Sequence, residues 1–446
     1  MLDRLFRLSA RGTNVRTEVL AGVTTFLTMA YIVFVQPAVL SVDLSGKPTG
    51  LDFGAVLVAT CLASALASVL MGLVADYPIA LAPGMGENFF FVTVVMSLAH
   101  LGLPHPWQTA LGIVFLSGLV FILLTLVRLR EAVIDAISPS MRNGIAVGIG
   151  LFIAFIGLRN GSLVVGKPGT LVGLNPQMGS PDVAVFGLGL VVSAVLLARR
   201  VRGGLLWGIL AGAGLAFALG RIQFNGVFGL PAVQQTAFLA MDVRSALQPA
   251  LVPFIIVFVF MGLFDTVGTL VGVAEQAGLL EQNRLPRANR ALLVDATGIT
   301  AGACLGTSTM TCYIESAAGV AAGGRTGLTA IVTGLLFIGA LLVGPLVRMI
   351  GSYPPITAPA LVLVGTLMIQ NARKIDWDDM SEAVPVFLTI VGIPLCYSIA
   401  DGLALGFVSY PVVKLLSGRA RDVRWLSYVM AALLVVYFLA VRNQLG

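Results

Sequence analysis

Apolar runs of about twenty residues, the length that crosses a bilayer, follow one another along nearly the whole chain and are separated by short polar connections. Charged residues make up 11% of the 446 positions, against about 25% in an ordinary soluble domain, so a water-soluble enzyme is excluded. No polar stretch is long enough to form a separate soluble domain. The chain therefore reads as an all-α polytopic membrane protein. Spans are expected near 17–40, 53–74, 79–98, 106–128, 139–158, 182–198, 203–220, 249–273, 288–304, 308–322, 325–350, 357–371, 382–418 and 423–441, about fourteen in all. The third and tenth are short, interrupted by Gly or Pro, and occupy corresponding places in the two halves. That arrangement points to a carrier built from two inverted seven-span repeats.

One segment resists this count. The stretch 382–418 is too long for a single span, and Lys414, Arg419, Arg421 and Arg424 would follow it on the outer side. Either the segment is broken or the count shifts by one.

The net charge of +6 does not call for nucleic acid, because Arg4, Arg7, Arg11, Arg16, Arg199, Arg200 and Arg202 sit at span ends, as the positive-inside rule expects. A multi-pass protein of the plasma (inner) membrane with a cytoplasmic N-terminus follows. The basic N-terminal stretch is too long for a signal peptide, so the first span is retained. Cys61, Cys304, Cys312 and Cys396 lie in apolar runs without paired spacing, and read as packing residues. His100 and His105 share a short connection, which leaves no histidine in a span for a metal or a proton relay. No metal, cofactor or enzymatic chemistry is expected. Gly204, Gly208 and Gly212, like Gly298, Gly302 and Gly306, recur every four positions, as in close helix packing. Trp107, Trp207 and Trp425 fall near span starts and read as interfacial anchors.

Acidic residues inside apolar runs are costly and mark function by default. Glu87, Asp265, Asp295 and Glu315 qualify. In the third span, Pro78 and Pro83 oppose a continuous helix, which predicts an extended piece to about Pro83 and a helix from near Met85, with Glu87 and Asn88 in its first turn. In the tenth, Gly306 to Cys312 favours a strand and Tyr313 to Gly319 a helix, so Glu315 lies near a second half-helix start. Two half-helix N-termini facing each other near the midplane offer N–H groups and positive dipole ends to a polar ligand. Asp265 is central in the eighth span, beside Phe264. An ionised carboxylate accepts from ring N–H or amino donors, and a protonated one also donates. Burial disfavours the charged form while helix N-termini favour it, and this balance suits Asp265 and Glu315 to proton coupling. Each residue also has a plain structural role to weigh: Asp265 and Glu315 as acids bonding backbone at a helix break, Glu87 and Asn88 as helix caps. Asp295 is expected to bond hydroxyls of a neighbouring segment. Of Phe89, Phe90 and Phe91, one is expected to meet a ligand, and Phe89 is the candidate.

At these residues the chain resembles the nucleobase–cation symporter family, in the AzgA-like purine (hypoxanthine/adenine/guanine) permease branch, over essentially its whole length. The resemblance is carried by Gly12-Thr13-Asn14-Val15-Arg16-Thr17-Glu18, Thr24 to Tyr31, Ala82-Pro83-Gly84-Met85-Gly86, Phe264-Asp265-Thr266-Val267-Gly268-Thr269, Gly306-Thr307-Ser308-Thr309 and Tyr313 to Gly319. It implies the uracil-transporter fold, with short strands in spans 3 and 10, a core domain of spans 1–4 and 8–11 (1–135 and 248–352) and a gate domain of spans 5–7 and 12–14 (136–247 and 353–446). It also implies import of purine bases by proton symport. Asn88, Asp265 and Glu315 match the family's substrate-binding places, and Glu87, Phe264, Phe89 and Thr28 complete the candidate set. Glu87 departs from the uncharged residue more usual there, which bears on substrate range or proton stoichiometry. Expected partners are a purine nucleobase, a proton or another cation, the bilayer and a second copy of the chain in a homodimer. An anion carrier for sulfate or bicarbonate on the same fold is the alternative. Against it, Asp265 and Glu315 would repel an anion, and no arginine stands in the eighth or tenth segment.

Overall fold

The computed structural model describes residues 2–127, 137–279 and 285–436. The first crossing is α1 (Val15–Met29) followed through Ala30 by α2 (Tyr31–Ser41). Then come α3 (Phe53–Leu70), which tightens into a π turn over Met71–Ala75, and α4 (Met85–His100), α5 (Pro106–Leu126), α6 (Pro139–Asn160), α7 (Pro181–Ala198) and α8 (Gly204–Ala218). The second half has α9 (Val252–Gln276), α10 (Ala288–Leu305), α11 (Ser316–Ala321), α12 (Gly327–Ala340), α13 (Gly344–Gly351), α14 (Pro354–Met368), α15 (Met380–Leu395), α16 (Ile399–Leu416) and α17 (Trp425–Val436). Four short strands accompany them: β1 (Leu81–Pro83), β2 (Val164–Lys167), β3 (Leu171–Leu174) and β4 (Met310–Cys312).

Helix starts follow local chemistry. Ser138 and Ser180 cap α6 and α7 by accepting from Met141 and Val183 N–H, with Pro139 and Pro181 at the first helical position, where no N–H is missed. Among the described residues, eight helical stretches are long and apolar enough to cross a membrane, and four apolar helices are shorter. The interrupted third and tenth segments meet, because β1 pairs with β4 in antiparallel register, Ala82 opposite Thr311. A three-residue pairing of this kind satisfies backbone groups that hydrocarbon cannot.

Several expectations are corrected. The stretch 382–418 is two helices, α15 and α16, separated at Cys396–Ser398; Tyr397 takes a positive φ of 53°, and Ser398 caps α16 by accepting from Asp401 N–H. The end of α16 therefore returns beside the start of α15, where buried Lys414 pairs with Glu382 at 2.8 Å and Arg419 with Asp379 at 2.8 Å. The segment 325–350 divides into α12 and the short α13. In 423–441, the helix is described to Val436 and the rest lies outside the described residues. Trp107 is buried against Gly50, whereas Trp207 and Trp425 are exposed. Cys396 is exposed at the α15–α16 break, not packed in a span. Gly306 ends α10 with φ 100°, so its lack of a side chain serves a left-handed cap.

Candidate functional site

The β1–β4 crossing is where chemistry-bearing residues converge. Pro83 ends the extended piece, Gly84 turns the chain, and α4 begins at Met85, as the two prolines predicted. The opposite crossing runs as β4 to Cys312 and starts α11 at Ser316, so Glu315 takes the N-cap position. The two crossings are tied by backbone and side chain: Gly84 N–H donates to Thr309 O at 2.9 Å, Tyr313 N–H to Ala80 O at 3.0 Å, Ala80 N–H to Ser316 Oγ at 3.0 Å and Tyr313 OH to Pro83 O at 2.6 Å. Ser68 of α3 both accepts from Leu81 N–H and donates to Leu81 O. Irregular backbone at this depth is thereby kept saturated.

Around this frame the acids differ in setting. Asp265, midway along α9, and Glu315 are half-buried, whereas Glu87, Asn88 and Asp295 are fully buried. Glu315 Oε1 accepts from Tyr31 OH at 2.8 Å, and its backbone carbonyl accepts from Thr28 Oγ1 at 3.4 Å. The Asp265 carboxyl faces the Thr311 hydroxyl and lies within electrostatic reach of both Glu87 and Glu315. Among the described residues none of Glu87, Asp265 and Glu315 forms an ion pair with Lys or Arg. Asp295 accepts from the Thr266 hydroxyl at 2.8 Å, the neighbouring-segment bond expected for it. Glu87 folds its carboxylate back over the first turn of α4, so a Cβ at Gly84 would stand 2.2 Å from Glu87 Oε2.

Asn88 is committed to the frame: its Oδ1 accepts from Ser308 Oγ across the crossing, and its Nδ2 lies 3.9 Å from Met85 Sδ. Gln36 of α2 extends the same set, donating from Nε2 to Thr307 and Ser308 hydroxyls, each at 3.0 Å. Phe89 stacks edge-on against Phe152 of α6 with ring centroids 6.2 Å apart, while Phe90 turns to Phe258 of α9 at 4.6 Å. The Phe264 side chain lies outside the described residues. Thr28 spends its hydroxyl on Thr24 and Thr25 carbonyls as well as on Glu315. Sequence reading did not single out Tyr31, Gln36, Ser308 or Thr311. Tyr31 had a signal, since it follows directly on the α1–α2 break inside a motif already noted.

A protein-family model, Xan_ur_permease, described as "Permease family", matches residues 16–405. The chain belongs to this permease family. Its relatives span it nearly end to end. The putative permease MJ0326 of Methanocaldococcus jannaschii is 46% identical over 439 residues, covering 98% of each chain. The guanine/hypoxanthine permease PbuG of Bacillus subtilis is 44% identical over 450 residues, covering 99% of this permease and all of the relative. The adenine permease AdeP of Escherichia coli is 42% identical over 437 residues, covering 98% and 95%. These relatives bear out the resemblance read from the motifs. Among solved structures, the transmembrane domain of the cyanobacterial bicarbonate transporter BicA shares the fold at a TM-score of 0.64 and 15% identity, covering 88% of this permease and 97% of that domain. The protein is a multi-pass membrane transporter and not an enzyme.

Proposed function

We propose that this permease imports purine nucleobases, adenine, guanine or hypoxanthine, with a proton, and that the base is held between Asp265 and Glu315 at the crossing of the half-helices. The observation that carries this is a pair of half-buried carboxyls, within electrostatic reach of each other and without a basic partner among the described residues. Ring N–H and exocyclic amino groups supply the donors such a pair lacks, and a proton on one acid relieves the like-charge repulsion. Purine permeases at 42–44% identity across nearly the full length support the substrate class. Asn88, whose Oδ1 accepts from Ser308, acts by fixing the two crossings, and Glu87 closes the site from behind; Thr28 and Phe89 complete its walls, and Phe264, next to Asp265 in sequence, remains a candidate.

Transport proceeds by movement of a core (1–135 and 248–352) against a gate (136–247 and 353–446). Supporting this division, the site's strands and acids all fall in the core, and the contacts Phe89–Phe152 and Gly86–Ile149 bring gate helix α6 against the half-helix. Lys414 and Arg419, lodged beside the start of α15, join the basic face of the N-terminal arginines, which supports a cytoplasmic N-terminus in the plasma (inner) membrane. The anion-carrier alternative has fold likeness behind it and nothing at the site, where three acids would repel the cargo. The test is uptake of labelled adenine, guanine, hypoxanthine, xanthine and uracil by cells lacking their own permeases, with and without a protonophore. Purine uptake that collapses with the proton gradient is expected; uptake of uracil alone, or indifference to the protonophore, contradicts the reading.

A further inference from the structure

On the face opposite the N-terminus, the connection from α8 to α9 is pinned at both ends. Arg221 pairs with Asp182 at the head of α7 at 3.1 Å, and its guanidinium lies 5.6 Å from the centre of the Tyr353 ring. Further on, Gly229 N–H donates to Leu342 O at 2.7 Å, Gly344 N–H donates back to Gly229 O at 3.1 Å, and Gln234 N–H donates to Asp52 Oδ2 at 3.3 Å. Beside these anchors is a cavity of about 300 Å³ lined by Gln223 and Asn225 of the connection, Phe53 and Leu57 of α3, and Arg348 and Ser352 at α13.

The donors in that cavity are unspent. Arg348 forms no ion pair, and Gln223 and Asn225 make no side-chain hydrogen bond, among the described residues. Two other cations of the same face are engaged: Arg159 donates to Leu44 O and Tyr397 OH, and Arg221 to Asp182. Ser352 has already donated its proton to Met349 O at 2.8 Å and adds no donor. A planar guanidinium flanked by two amides is a donor set for a phosphate diester, which offers two acceptor oxygens and one negative charge. Leu230 of the lining is more than half exposed, and so are Phe224, Phe228 and Leu342, each next or close in the chain to a lining residue or to the Gly229–Leu342 anchor. Aromatic and aliphatic groups beside a cation are the arrangement found where headgroups meet acyl chains.

We propose that this cavity seats the headgroup of an anionic glycerophospholipid, its phosphate on Arg348, Asn225 and Gln223 and its acyl chains over Phe224, Phe228 and Leu342. A free phosphate would use the donors but leaves the exposed apolar side chains unexplained. The site lies apart from the β1–β4 crossing and does not depend on which base is carried. Because the connection is pinned on one side to α7 and on the other to the turn between α12 and α13, a seated lipid bridges elements that the transport cycle would displace.

The experiment is native mass spectrometry of the full chain in detergent, titrated with phosphatidylglycerol, phosphatidylcholine or inorganic phosphate. The wild type is expected to retain phosphatidylglycerol in preference to phosphatidylcholine, and Arg348→Gln to weaken that retention about tenfold, the loss of one charge-assisted contact. Asn225→Ala weakens it less, and serves alone if Arg348→Gln does not fold. Equal retention of the two lipids, or phosphatidylglycerol retention unchanged in the variants, overturns the proposal. Displacement by inorganic phosphate without preference among lipids identifies a soluble-anion site instead and overturns it too.

Discussion

Replacing Tyr31 by Phe removes one oxygen and little else. The ring is fully buried and packed at the start of α2, so its volume and rotamer are kept and the fold is expected to survive. What is lost is the 2.8 Å hydrogen bond from Tyr31 OH to Glu315 Oε1, the bond that aims this carboxyl, together with the contact between the Tyr31 and Tyr313 hydroxyls. A hydrogen bond to an ionised group contributes about 1.5–3 kcal/mol, which converts to roughly a 10- to 150-fold change in an equilibrium. Glu315 is half-buried, so water can replace part of the missing donor, and the lower end of that range applies. Initial rates of hypoxanthine or adenine uptake over a concentration series should show the apparent KM raised about tenfold, with the pH profile displaced because Glu315 has lost a donor to its charged form. The reasoning fails if Tyr31→Phe, present in the membrane at the wild-type level, keeps both KM and pH profile within about twofold.

Asn88→Ala and Ser308→Ala each cut the buried clasp between the two crossings and are expected to lower stability by about 1–3 kcal/mol; the double variant should cost less than the sum, read as melting temperature in detergent. Gly327→Ala forces a Cβ to within 2.0 Å of Gly72 O, backbone that cannot give way, and overpacking of this kind costs about 1–3 kcal/mol in the same assay. Asp379 is held below the usual carboxylate range chiefly by the Ser381 hydroxyl, helped by Arg419 and Lys414. Its folded value being depressed, its contribution is present above about pH 4 and is lost as pH falls further. Asp379→Asn should therefore lower the melting temperature at neutral pH and flatten its decline on acidification; an unchanged acid limb argues against the Asp379 link.

What the sequence made legible follows from strong local rules. Pro78, Pro83 and the glycines beside them deny a helix through the third segment, so a half-helix from Met85 could be read directly, as could Asp265 near the centre of its span. In the neighbouring half-helix the sequence pattern puts Tyr313 in the helix, but its N–H pairs with Ala80 O and the helix begins only at Ser316. That 382–418 is broken is one of the two readings its length allows, but the place of the break at Tyr397 is not legible, because Pro394 and Ser398 act only through a left-handed residue that no composition marks. The β2–β3 hairpin, with Lys167 opposite Leu171, had a signal in Pro168-Gly169 between two β-branched runs. The partners that set the acids' environment, Tyr31 on Glu315 and Ser308 on Asn88, join residues 284 and 220 positions apart. Short-range patterns carry no trace of such pairings.

The central claim is that Asp265 and Glu315 hold a base and a proton together. Its most direct test is proton movement itself: purified protein in liposomes enclosing a pH-sensitive dye, with the membrane potential clamped at zero and hypoxanthine or adenine added outside. The account predicts that base entry acidifies the lumen in the wild type and that Glu315→Gln abolishes this acidification. Base accumulation with no change in lumenal pH, or acidification undiminished in Glu315→Gln, would contradict it.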